Sequence, residues 1–481
     1  MSETLSRPER RRLARAIRAQ AGPQEGFLAS SADIVIYGGA AGGGKSFAIL
    51  LEPIRHKMTK AFGAVVFRRE ATQITNEGGL WDEAMQLYPL AHGTPFKSPK
   101  LGFRWKSGAK VTFGHLNRED DVLAWQGAQI PLICFDELTH FEESQFWYML
   151  SRNRSTCGVR PYIRATTNPK ADSWVERLLT WWIDQDENSE TYGLPIPERS
   201  GVVRWFVRVS GTLHWGDSPD IAIAHGMQPE DAKSLTFISA KITDNKALLD
   251  KDPGYMANLK ALSRVERGRL LDGNWKIRPA AGMYFRRSEV RMITHDQIPD
   301  GVRWLRAWDL AATEVGENSQ DPDWTVGALM GIRLGNVSTP SRLIIAHVRR
   351  DRQRTAGVRD MVKSLAEWDT KAASIAFPQD PGAAGKSAGE DFVGMLPGWT
   401  SKAWPISGDK VTRADPFAAQ WQAGNVDVVR GPWNEAFFSE LEAFPTKGVH
   451  DDQVDACSLG FYALTNDFRP TSRTTARVRG L

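Results

Sequence analysis

The sequence has few cysteines, little net charge and no long apolar run, and each shortage excludes a class of protein. The three cysteines, Cys134, Cys157 and Cys457, have no zinc or disulfide spacing, so we expect buried thiols in a reducing compartment. The net charge of +4, from 61 basic against 57 acidic residues, permits nucleic-acid binding without requiring it. No apolar segment approaches the roughly 18 residues that span a bilayer, and none near the N-terminus has the character of a signal peptide. We therefore expect no membrane association.

The length and composition are those of a globular protein with more than one domain. Hydrophobic residues make up 41% of the chain and charged residues 25%, which is ordinary for folded protein. A chain of 481 residues is too long for one ordinary hydrophobic core. We expect two or three domains.

The most informative feature is a glycine-rich turn between an apolar run, Asp33–Tyr37, and a predicted helix that continues from Phe47. The turn reads GGAAGGGKS and fits G-x-x-x-x-G-K-[S/T], the pattern of a phosphate-binding loop. Backbone N–H groups of such a loop surround phosphate oxygens, the lysine reaches the β- and γ-phosphates, and the serine ligates Mg²⁺. The pattern predicts that ATP or GTP is bound by Gly39, Gly42, Gly43, Gly44, Lys45 and Ser46.

A second nucleotide signature lies at Pro131–Glu137, where four apolar residues precede two acids. This pattern predicts a buried strand that ends in a Walker B pair. Asp136 is expected to hold Mg²⁺, and Glu137 to polarise the water that attacks the γ-phosphate. The two signatures support each other because they occur in this order in one chain.

Further strand-like runs at Gly63–Phe67 and Pro161–Pro169 alternate with helical stretches, which indicates an α/β domain with a largely parallel sheet. Ligands of such sheets bind beyond the carboxyl ends of the strands. Lys45, Glu137 and Asn168 all lie at such ends, so we expect one site to gather them.

The C-terminal half has strands that end in acids. Trp304–Asp309, Asp323–Met330 and Arg342–Val348 predict an antiparallel meander, and Ser374–Asp380 predicts a further strand. His450–Asp455 precedes a predicted helix. Acids at strand ends and at the start of a helix can converge on one edge of a sheet.

Such a set fits a site for two divalent metals, which can stabilise both the attacking and the leaving oxygen of a phosphodiester. The candidate ligands are Asp309, Asp380 and the group Asp451, Asp452 and Asp455. Helical spacing places Asp451 and Asp455 on one face and Asp452 elsewhere, so at most two of the three should bind the same site. Residue types alone leave open that these acids are strand and helix caps.

The order of GGAAGGGKS, ICFDE and ATTNP resembles the ATPase domain of the tailed-phage large terminase subunit, the motor that packages viral DNA. Gln24 lies where the family has an adenine-contacting glutamine, and Leu270–Trp275 resembles the sequence that closes the ATPase region. The resemblance assigns the motif that couples hydrolysis to movement to Thr166, Thr167 and Asn168. It implies ATP and Mg²⁺ as cofactors.

One place departs from the family pattern. Many relatives have an arginine beside a glycine shortly before Walker B, and this chain has Trp125–Gly127 there. An arginine finger therefore has to come from elsewhere. The candidates are Arg68, Arg69, Arg152 and Arg154, each of which also fits an ordinary surface charge.

The C-terminal half resembles the RNase H-like nuclease domain of large terminases. The resemblance rests on Asp309 with Asp323, Asp380 with Pro381–Gly382, the run HDDQVDA and Pro405–Arg413. It implies two Mg²⁺ or Mn²⁺ ions and makes Asp309, Asp380 and either Asp451 or Asp452 the metal ligands. It gives supporting places to Asp323 and Asp455 and leaves Lys410 and Arg413 to meet phosphate.

The resemblance implies five segments: a basic arm (1–21), a P-loop ATPase domain with a largely parallel sheet (22–277), a linker (278–300), an RNase H-like α/β nuclease domain with a mixed sheet (301–467) and a basic tail (468–481). The function that it implies is ATP-driven translocation of double-stranded viral DNA into a procapsid, with metal-dependent cutting of concatemeric DNA. The implied partners are the DNA, the portal protein, the small terminase subunit and sister copies in a ring, in the host cell cytoplasm.

Two other functions stay open at this level. A helicase-like repair ATPase with a nuclease would unwind a forked duplex unaided, yet no convincing helicase motifs follow the coupling motif. A capsid or scaffold protein that only binds nucleotide would not need Glu137, and it would show no ATPase activity even with DNA, portal and procapsid.

Overall fold

The structure, a computed structural model, describes residues 17–311, 321–335, 340–380 and 383–466. Most of the predicted basic arm, the basic tail and Pro381–Gly382 lie outside the described residues. The chain divides into two compact units. The first comprises Met1–Lys260 and Gly268–Ile277, and the second comprises Ala261–Arg267 and Arg278–Leu481.

The first unit is built on a ten-stranded sheet with the order β3-β4-β5-β2-β6-β7-β1-β10-β8-β9. Its strands are β1 (Ile34–Gly39), β2 (Gly63–Arg68), β3 (Thr94–Phe96), β4 (Gly102–Arg104), β5 (Lys110–His115), β6 (Leu132–Phe135), β7 (Tyr162–Thr167), β8 (Val203–Val209), β9 (Thr212–Gly216) and β10 (Lys233–Ala240). Six adjacent strands are parallel: β5, β2, β6, β7, β1 and β10. The strands at both edges of the sheet, β3 and β4 on one side and β8 and β9 on the other, pair antiparallel. The expected largely parallel sheet is confirmed.

The helices that accompany this sheet are α1 (Pro23–Ala29), α2 (Lys45–Leu51), α3 (Thr72–Thr75), α4 (Leu80–Leu87), α5 (Glu143–Leu150), α6 (Trp174–Leu178), α7 (Lys246–Lys251) and α8 (Tyr255–Lys260). A further helix, α9 (Arg264–Leu270), follows them. None of the described helices is long and apolar enough to cross a membrane.

The apolar character of β1 and β6 places them at the centre of the sheet. Every residue of both strands is buried, as expected for parallel strands that are covered on both faces. Strand β7 lies between them, with Ile163 opposite both Ile34 and Ile133. The carboxyl ends of β6, β7 and β1 are therefore neighbours on one edge of the sheet.

The second unit contains a seven-stranded mixed sheet with the order β11-β17-β14-β13-β12-β15-β16. Its strands are β11 (Arg291–Ile293), β12 (Arg303–Asp309), β13 (Thr325–Arg333), β14 (Arg342–Asp351), β15 (Ala373–Gln379), β16 (Ser401–Pro405) and β17 (Val426–Val429). Its helices are α10 (Thr355–Asp369), α11 (Ala383–Gly394), α12 (Lys410–Gln422), α13 (Asn434–Ala443) and α14 (Asp452–Thr465). The expected antiparallel meander is formed by β12, β13 and β14.

The stretch 278–300, which we expected to be a linker, belongs to the second unit. Strand β11 lies within it and pairs in parallel with β17. Tyr284 and Phe285 are buried in the core of the same unit. The prediction was wrong because polar and proline residues surround a strand of only three residues, too short to show a pattern.

Candidate active sites

A tight glycine turn joins β1 to α2 in the first unit. Gly44 precedes α2 with φ of +72°, a left-handed conformation that glycine adopts without strain. A Cβ atom at Gly44 would lie 2.1 Å from Nε2 of Gln24, and one at Gly42 would lie 2.8 Å from the ring of Tyr255. Both glycines also have positive φ, so a side chain at either position would be strained, and this favours glycine in the turn.

Lys45, Asn168 and Glu137 form a hydrogen-bonded chain where β1, β7 and β6 end. Nζ of Lys45 donates to Oδ1 of Asn168 at 2.8 Å and to the carbonyl of Ala40 at 2.6 Å. Nδ2 of Asn168 lies 2.9 Å from both carboxylate oxygens of Glu137. The structure thus brings together the three side chains that we expected at one site.

Asp136 is completely buried beside this chain. The hydroxyl of Thr166 donates to Oδ1 of Asp136 and accepts from the backbone N–H of Glu137 at 3.0 Å. Nη2 of Arg68 lies 2.5 Å from Oδ2 of the same aspartate. One carboxylate oxygen therefore faces a hydroxyl, and the other faces a positive charge.

Glu137 has φ of +63°, a backbone conformation that is uncommon for a residue with a side chain. Such strain persists only where the surroundings hold it, and it is concentrated at functional sites. Here the N–H bond to Thr166 and the two contacts from Asn168 hold the residue on both sides. The strained turn places the carboxylate against Asn168.

Burial lowers the pKa of Lys45 to about 8, although the charges of Glu137 and Asp136 act in the opposite direction. The residue is 7% exposed, so water compensates its charge poorly. An anionic ligand beside Nζ would favour the charged form. The site is therefore suited to a phosphate group.

The four candidate arginines differ in what they contact. Arg68 pairs with Asp136, whereas Arg69 donates to Gln145 at 2.9 Å. The other two make surface contacts: Arg152 lies over the ring of Tyr148, and Arg154 donates to a backbone carbonyl. Within the described part of the chain, Arg68 is the candidate that touches the acidic pair.

In the second unit, two parallel strands place acids on one edge of the sheet. Asp309 is the last residue of β12, and Asp380 follows β15 directly. The strands are neighbours, with Ala307 opposite Ala376, so both carboxylates leave the same edge. Asp309 is partly buried. Asp380 is exposed and has no hydrogen bond or ion pair with another described residue.

The start of α14 brings two further acids to a pair of cations. Asp451 lies 2.5 Å from Nζ of Lys410, and Asp455 lies 3.4 Å from the same nitrogen. Nη2 of Arg413 is 2.6 Å from Asp455. Burial by itself would lower the pKa of Lys410, but the hydrogen bond to Asp451 and the charge of Asp455 raise it above its ordinary value. Lys410 is therefore charged at neutral pH.

Asp452 faces a different group, as helical spacing predicted. Its Oδ2 accepts from the backbone N–H of Trp324 at 3.2 Å and lies 3.3 Å from Nδ1 of His450. The same imidazole nitrogen lies 3.7 Å from Asp323. Ligand atoms of Asp323, His450 and Asp452 all lie within 4.8 Å of one another, a spacing that could hold a metal ion.

Asp309 lies in the field of these acids. Burial raises the pKa of Asp309 well above its ordinary value, and the charges of Asp455 and Asp452 raise it further, against the opposing charge of Lys410. Carboxylates gathered this closely repel one another, and a further cation among them would relieve the repulsion. A cavity of about 560 Å³ opens beside the cluster, lined by Asp321, Asp323, residues 409–411 and residues 444–451.

Comparison with known proteins assigns the chain to a family. The family described as "Terminase large subunit, T4likevirus-type, N-terminal" matches residues 36–292, more than half of the chain. The family described as "Terminase RNaseH-like domain" matches residues 306–464. This chain belongs to the terminase large subunit family. The first unit is accordingly its ATPase domain, and the second is its RNase H-like nuclease domain.

Solved structures of the large terminase from a thermophilic bacteriophage share this fold. Its crystal form 2 has a TM-score of 0.59 and 12% identity, over 93% of this chain and 100% of that chain. The same phage protein in complex with ADP gives a TM-score of 0.57 and 13% identity, over 93% and 100% of the two chains. Its complex with ATP-gamma-S gives 0.56 and 14%, over 92% and 98%. No curated protein matches this chain.

The donor sets of both terminase domains fit the groups that the family implies. In the ATPase domain, Ser46 and the buried carboxylate of Asp136 offer the oxygen ligands that Mg²⁺ prefers. In the nuclease domain, burial and the charges of Asp455 and Asp452 raise the pKa of Asp309, and a divalent cation beside it would favour the charged form. Asp323, His450 and Asp452 supply oxygen and nitrogen ligands beside it.

Sequence reasoning missed residues that position these ligands. Arg352 lies 2.9 Å from Nε2 of His450, and its guanidinium group stacks 3.9 Å from the ring centre of Trp324. It thereby packs against both the imidazole and the residue whose N–H holds Asp452. The sequence offers only a weak indication of this role. Arg352 directly follows β14, whose carboxyl end lies on the same edge of the sheet as the acids of the site.

Proposed function

We propose that this chain hydrolyses ATP to drive double-stranded viral DNA into a procapsid and that its nuclease domain cuts concatemeric DNA. The observation that carries the proposal is the contact of Lys45, Asn168 and Glu137 in one domain of a chain whose other domain gathers acids. The thermophilic phage terminase was solved with ADP and with ATP-gamma-S, which supports ATP as the nucleotide here.

In the ATPase domain, Lys45 and the turn that precedes it bind the β- and γ-phosphates, with Gln24 near the adenine. Ser46 and Asp136 would hold Mg²⁺, and the bound ion would neutralise the charge that develops on the phosphates. Glu137 orients the attacking water and takes its proton. The carboxylate can do this because Asn168 fixes both of its oxygens in place.

Asn168 also links hydrolysis to movement. Its amide oxygen accepts from Lys45 and its amide nitrogen donates to Glu137. A γ-phosphate that draws Nζ of Lys45 away removes one of these two bonds, and its release restores the bond. The change is passed to Thr167 and Thr166, which precede Asn168 at the end of β7.

In the nuclease domain, two bound Mg²⁺ or Mn²⁺ ions would supply charge that stabilises the attacking and leaving oxygens of the phosphodiester. Asp309, Asp380 and either Asp451 or Asp452 would hold these ions, with Asp323 and Asp455 in support. Lys410 pairs with Asp451 and Arg413 pairs with Asp455, and both side chains would be free to contact the DNA phosphate if metal ions bound these acids.

The partners follow from this role. Contacts to double-stranded DNA are made to phosphates with little reading of bases, so binding is sensitive to salt. The chain works as a homo-oligomeric ring on the portal protein of a procapsid, receives DNA with the small terminase subunit, and acts in the host cell cytoplasm. The basic arm and basic tail are candidate contacts for DNA or for these proteins.

Packaging with purified portal-bearing procapsids tests the motor. We expect the parent chain to protect DNA from added nuclease when ATP is present. Glu137→Gln should protect none yet still cut naked DNA, and Asp380→Asn should do the reverse. Unwinding of a forked duplex by the chain alone, with no protection of DNA, would instead establish the helicase-like function.

Supercoiled plasmid with Mn²⁺ tests the nuclease before any packaging component is needed. We expect the parent to nick and linearise the plasmid and Asp380→Asn to leave it supercoiled. Equal cutting by both proteins would show that Asp380 is not a metal ligand.

A further inference from the structure

Three consecutive carbonyl groups of the phosphate-binding turn, those of residues 42–44, accept hydrogen bonds from side chains outside the turn. In order along the turn, the donors are Nδ2 of Asn245 at 2.6 Å, the hydroxyl of Tyr37 at 2.8 Å and Nε2 of Gln24 at 3.0 Å. Each donor is at most 9% exposed. Water therefore competes poorly for these carbonyls.

A trans peptide unit fixes what these bonds do to the N–H groups of the turn. In each planar unit the carbonyl of one residue and the N–H of the next point in opposite directions. Anchoring the carbonyls of residues 42–44 on the outside therefore aims the N–H groups of Gly43, Gly44 and Lys45 to the inside. Successive N–H groups that converge in this way form an anion-binding concavity.

The three donors come from separate elements of the ATPase domain. Gln24 lies in α1 and Tyr37 in β1, while Asn245 is the residue before α7. Burial raises the pKa of Tyr37 far above its ordinary value, so the phenol keeps its proton and remains a donor. The turn is thus held from three sides.

Gln20 joins two of the donors to each other. Its Nε2 donates to Oδ1 of Asn245 at 2.7 Å, and its backbone N–H donates to Oε1 of Gln24 at 2.9 Å. With their oxygens occupied in this way, both amides must present nitrogen to the turn. Oδ1 of Asn245 also caps α7 by accepting from the N–H of Leu248 at 3.2 Å.

We propose that Tyr37 and Asn245 are positioning residues that hold the phosphate-binding turn ready for nucleotide by anchoring its carbonyls on the outside. The inference rests on the nucleotide binding proposed above. Under this proposal, Tyr37 in β1 and Asn245 before α7 raise nucleotide affinity by acting on the turn from outside, through its carbonyl groups.

Tyr37→Phe tests the first anchor because it removes the hydroxyl alone. We expect the dissociation constants for ADP and ATP-γ-S, measured by titration calorimetry, to rise roughly five- to tenfold, the effect of one lost hydrogen bond. KM for ATP should rise by a similar factor while kcat changes less than about twofold, because the groups that react are untouched. Unchanged affinity would overturn the proposal for Tyr37.

Tyr88→Phe is the matched control. Tyr88 belongs to the same domain and is fully buried, and its hydroxyl has no hydrogen-bond partner among the described residues. Its loss should leave nucleotide affinity unchanged. An equal effect of both substitutions would show that any lost buried hydroxyl loosens the domain, and the anchoring role would fall.

Asn245 requires a pair of substitutions because it also caps α7. Serine is as good a cap as asparagine but is too short to reach the carbonyl of Gly42, whereas alanine can do neither. We expect Asn245→Ser and Asn245→Ala to weaken nucleotide binding alike, roughly five- to tenfold, with a lower melting temperature in Asn245→Ala alone. Full affinity in Asn245→Ser would mean that Asn245 acts only as a cap, and the proposal for it would be wrong.

The parent protein separates this inference from the proposed function. If the parent binds neither ADP nor ATP-γ-S, nucleotide binding itself is wrong. If it binds and both Tyr37→Phe and Asn245→Ser bind equally well, only the anchoring role is wrong. Circular dichroism and melting curves identify a variant that does not fold. If either Tyr37→Phe or Asn245→Ser does not fold, the nucleotide affinity of the other variant decides whether the anchoring role holds.

Discussion

Nδ2 of Asn168 lies 2.9 Å from both Oε1 and Oε2 of Glu137, so one amide group fixes the whole carboxylate. The oxygen of the same amide accepts from Lys45. The residue that follows β7 therefore stands between the phosphate-binding lysine and the acid that orients water. Its two bonds connect the two nucleotide motifs, which the sequence places far apart.

Asn168→Ala should lower the rate of ATP hydrolysis at saturating ATP by at least about tenfold, because Glu137 loses the donor that orients it. Nucleotide affinity should fall much less, since Lys45 keeps its contact with the turn. Steady-state hydrolysis and calorimetry measure the two effects. The control is Asn188→Ala, at an exposed asparagine of the same domain. Parental hydrolysis by Asn168→Ala would refute this role.

Nucleotide affinity should fall as the pH rises above about 8. Burial lowers the pKa of Lys45 to about 8, so above that value the free protein loses the charge that attracts phosphate. Binding then has to take up a proton, which costs affinity. Calorimetry from about pH 6 to 9.5 in buffers of different ionisation enthalpy measures both effects. Affinity that does not fall between about pH 8 and 9.5 would contradict the lowered pKa.

Arg68→Ala should lower kcat by a factor of about 10³, the low end of what an arginine finger contributes. Arg68 lies 2.5 Å from Asp136, and its guanidinium group would be free to contact a phosphate if Mg²⁺ bound this aspartate instead. Arg152→Ala should remain within about twofold of the parent, since that side chain stacks on Tyr148 at the surface. A loss below tenfold in Arg68→Ala would leave it only the role of neutralising Asp136.

Asp452→Asn should lose Mn²⁺ binding at the group that Asp452 forms with Asp323 and His450, because a neutral amide is a poor ligand for a hard cation. Asp360→Asn, at an exposed acid of α10 in the same domain, is the control. Electron paramagnetic resonance of bound Mn²⁺ measures the loss without reference to cutting. Equal Mn²⁺ binding by Asp452→Asn and the parent would rule out this ligand set.

Asp369→Asn should destabilise the nuclease domain by about 3–5 kcal/mol, because it leaves the charge of Arg306 buried without its partner. Both side chains of this ion pair are 1% exposed. Urea unfolding followed in the nuclease transition measures the change, and ATP hydrolysis should be unaffected. Asp360→Asn, at an exposed acid of the same helix, is the control. A loss below about 1 kcal/mol would mean that the buried charge is compensated elsewhere.

Motifs that depend on local sequence could be predicted, and pairings between distant residues could not. The turn at Lys45 and the strand before Asp136 were readable because glycine spacing and apolar runs are local signals. Tyr37 carries no local signal of a role in nucleotide binding, because a tyrosine in a buried strand is expected to be an ordinary residue of the hydrophobic core. An asparagine before a helix is a common cap, so Asn245 carries no local signal for nucleotide, and its contact with a carbonyl in the distant phosphate-binding turn depends on β10 lying beside β1.

The sequence by itself determined the two α/β sheets, the order of the nucleotide motifs and the acids at the ends of β12 and β15, because periodicity, glycine spacing and strand ends are properties of neighbouring residues. Only the tertiary structure decided which partners these groups have. It set Arg68 against Asp136, Lys410 against Asp451 and Arg352 against His450. These pairs depend on which strands are neighbours and in what register, and strand order arises from packing of the whole domain.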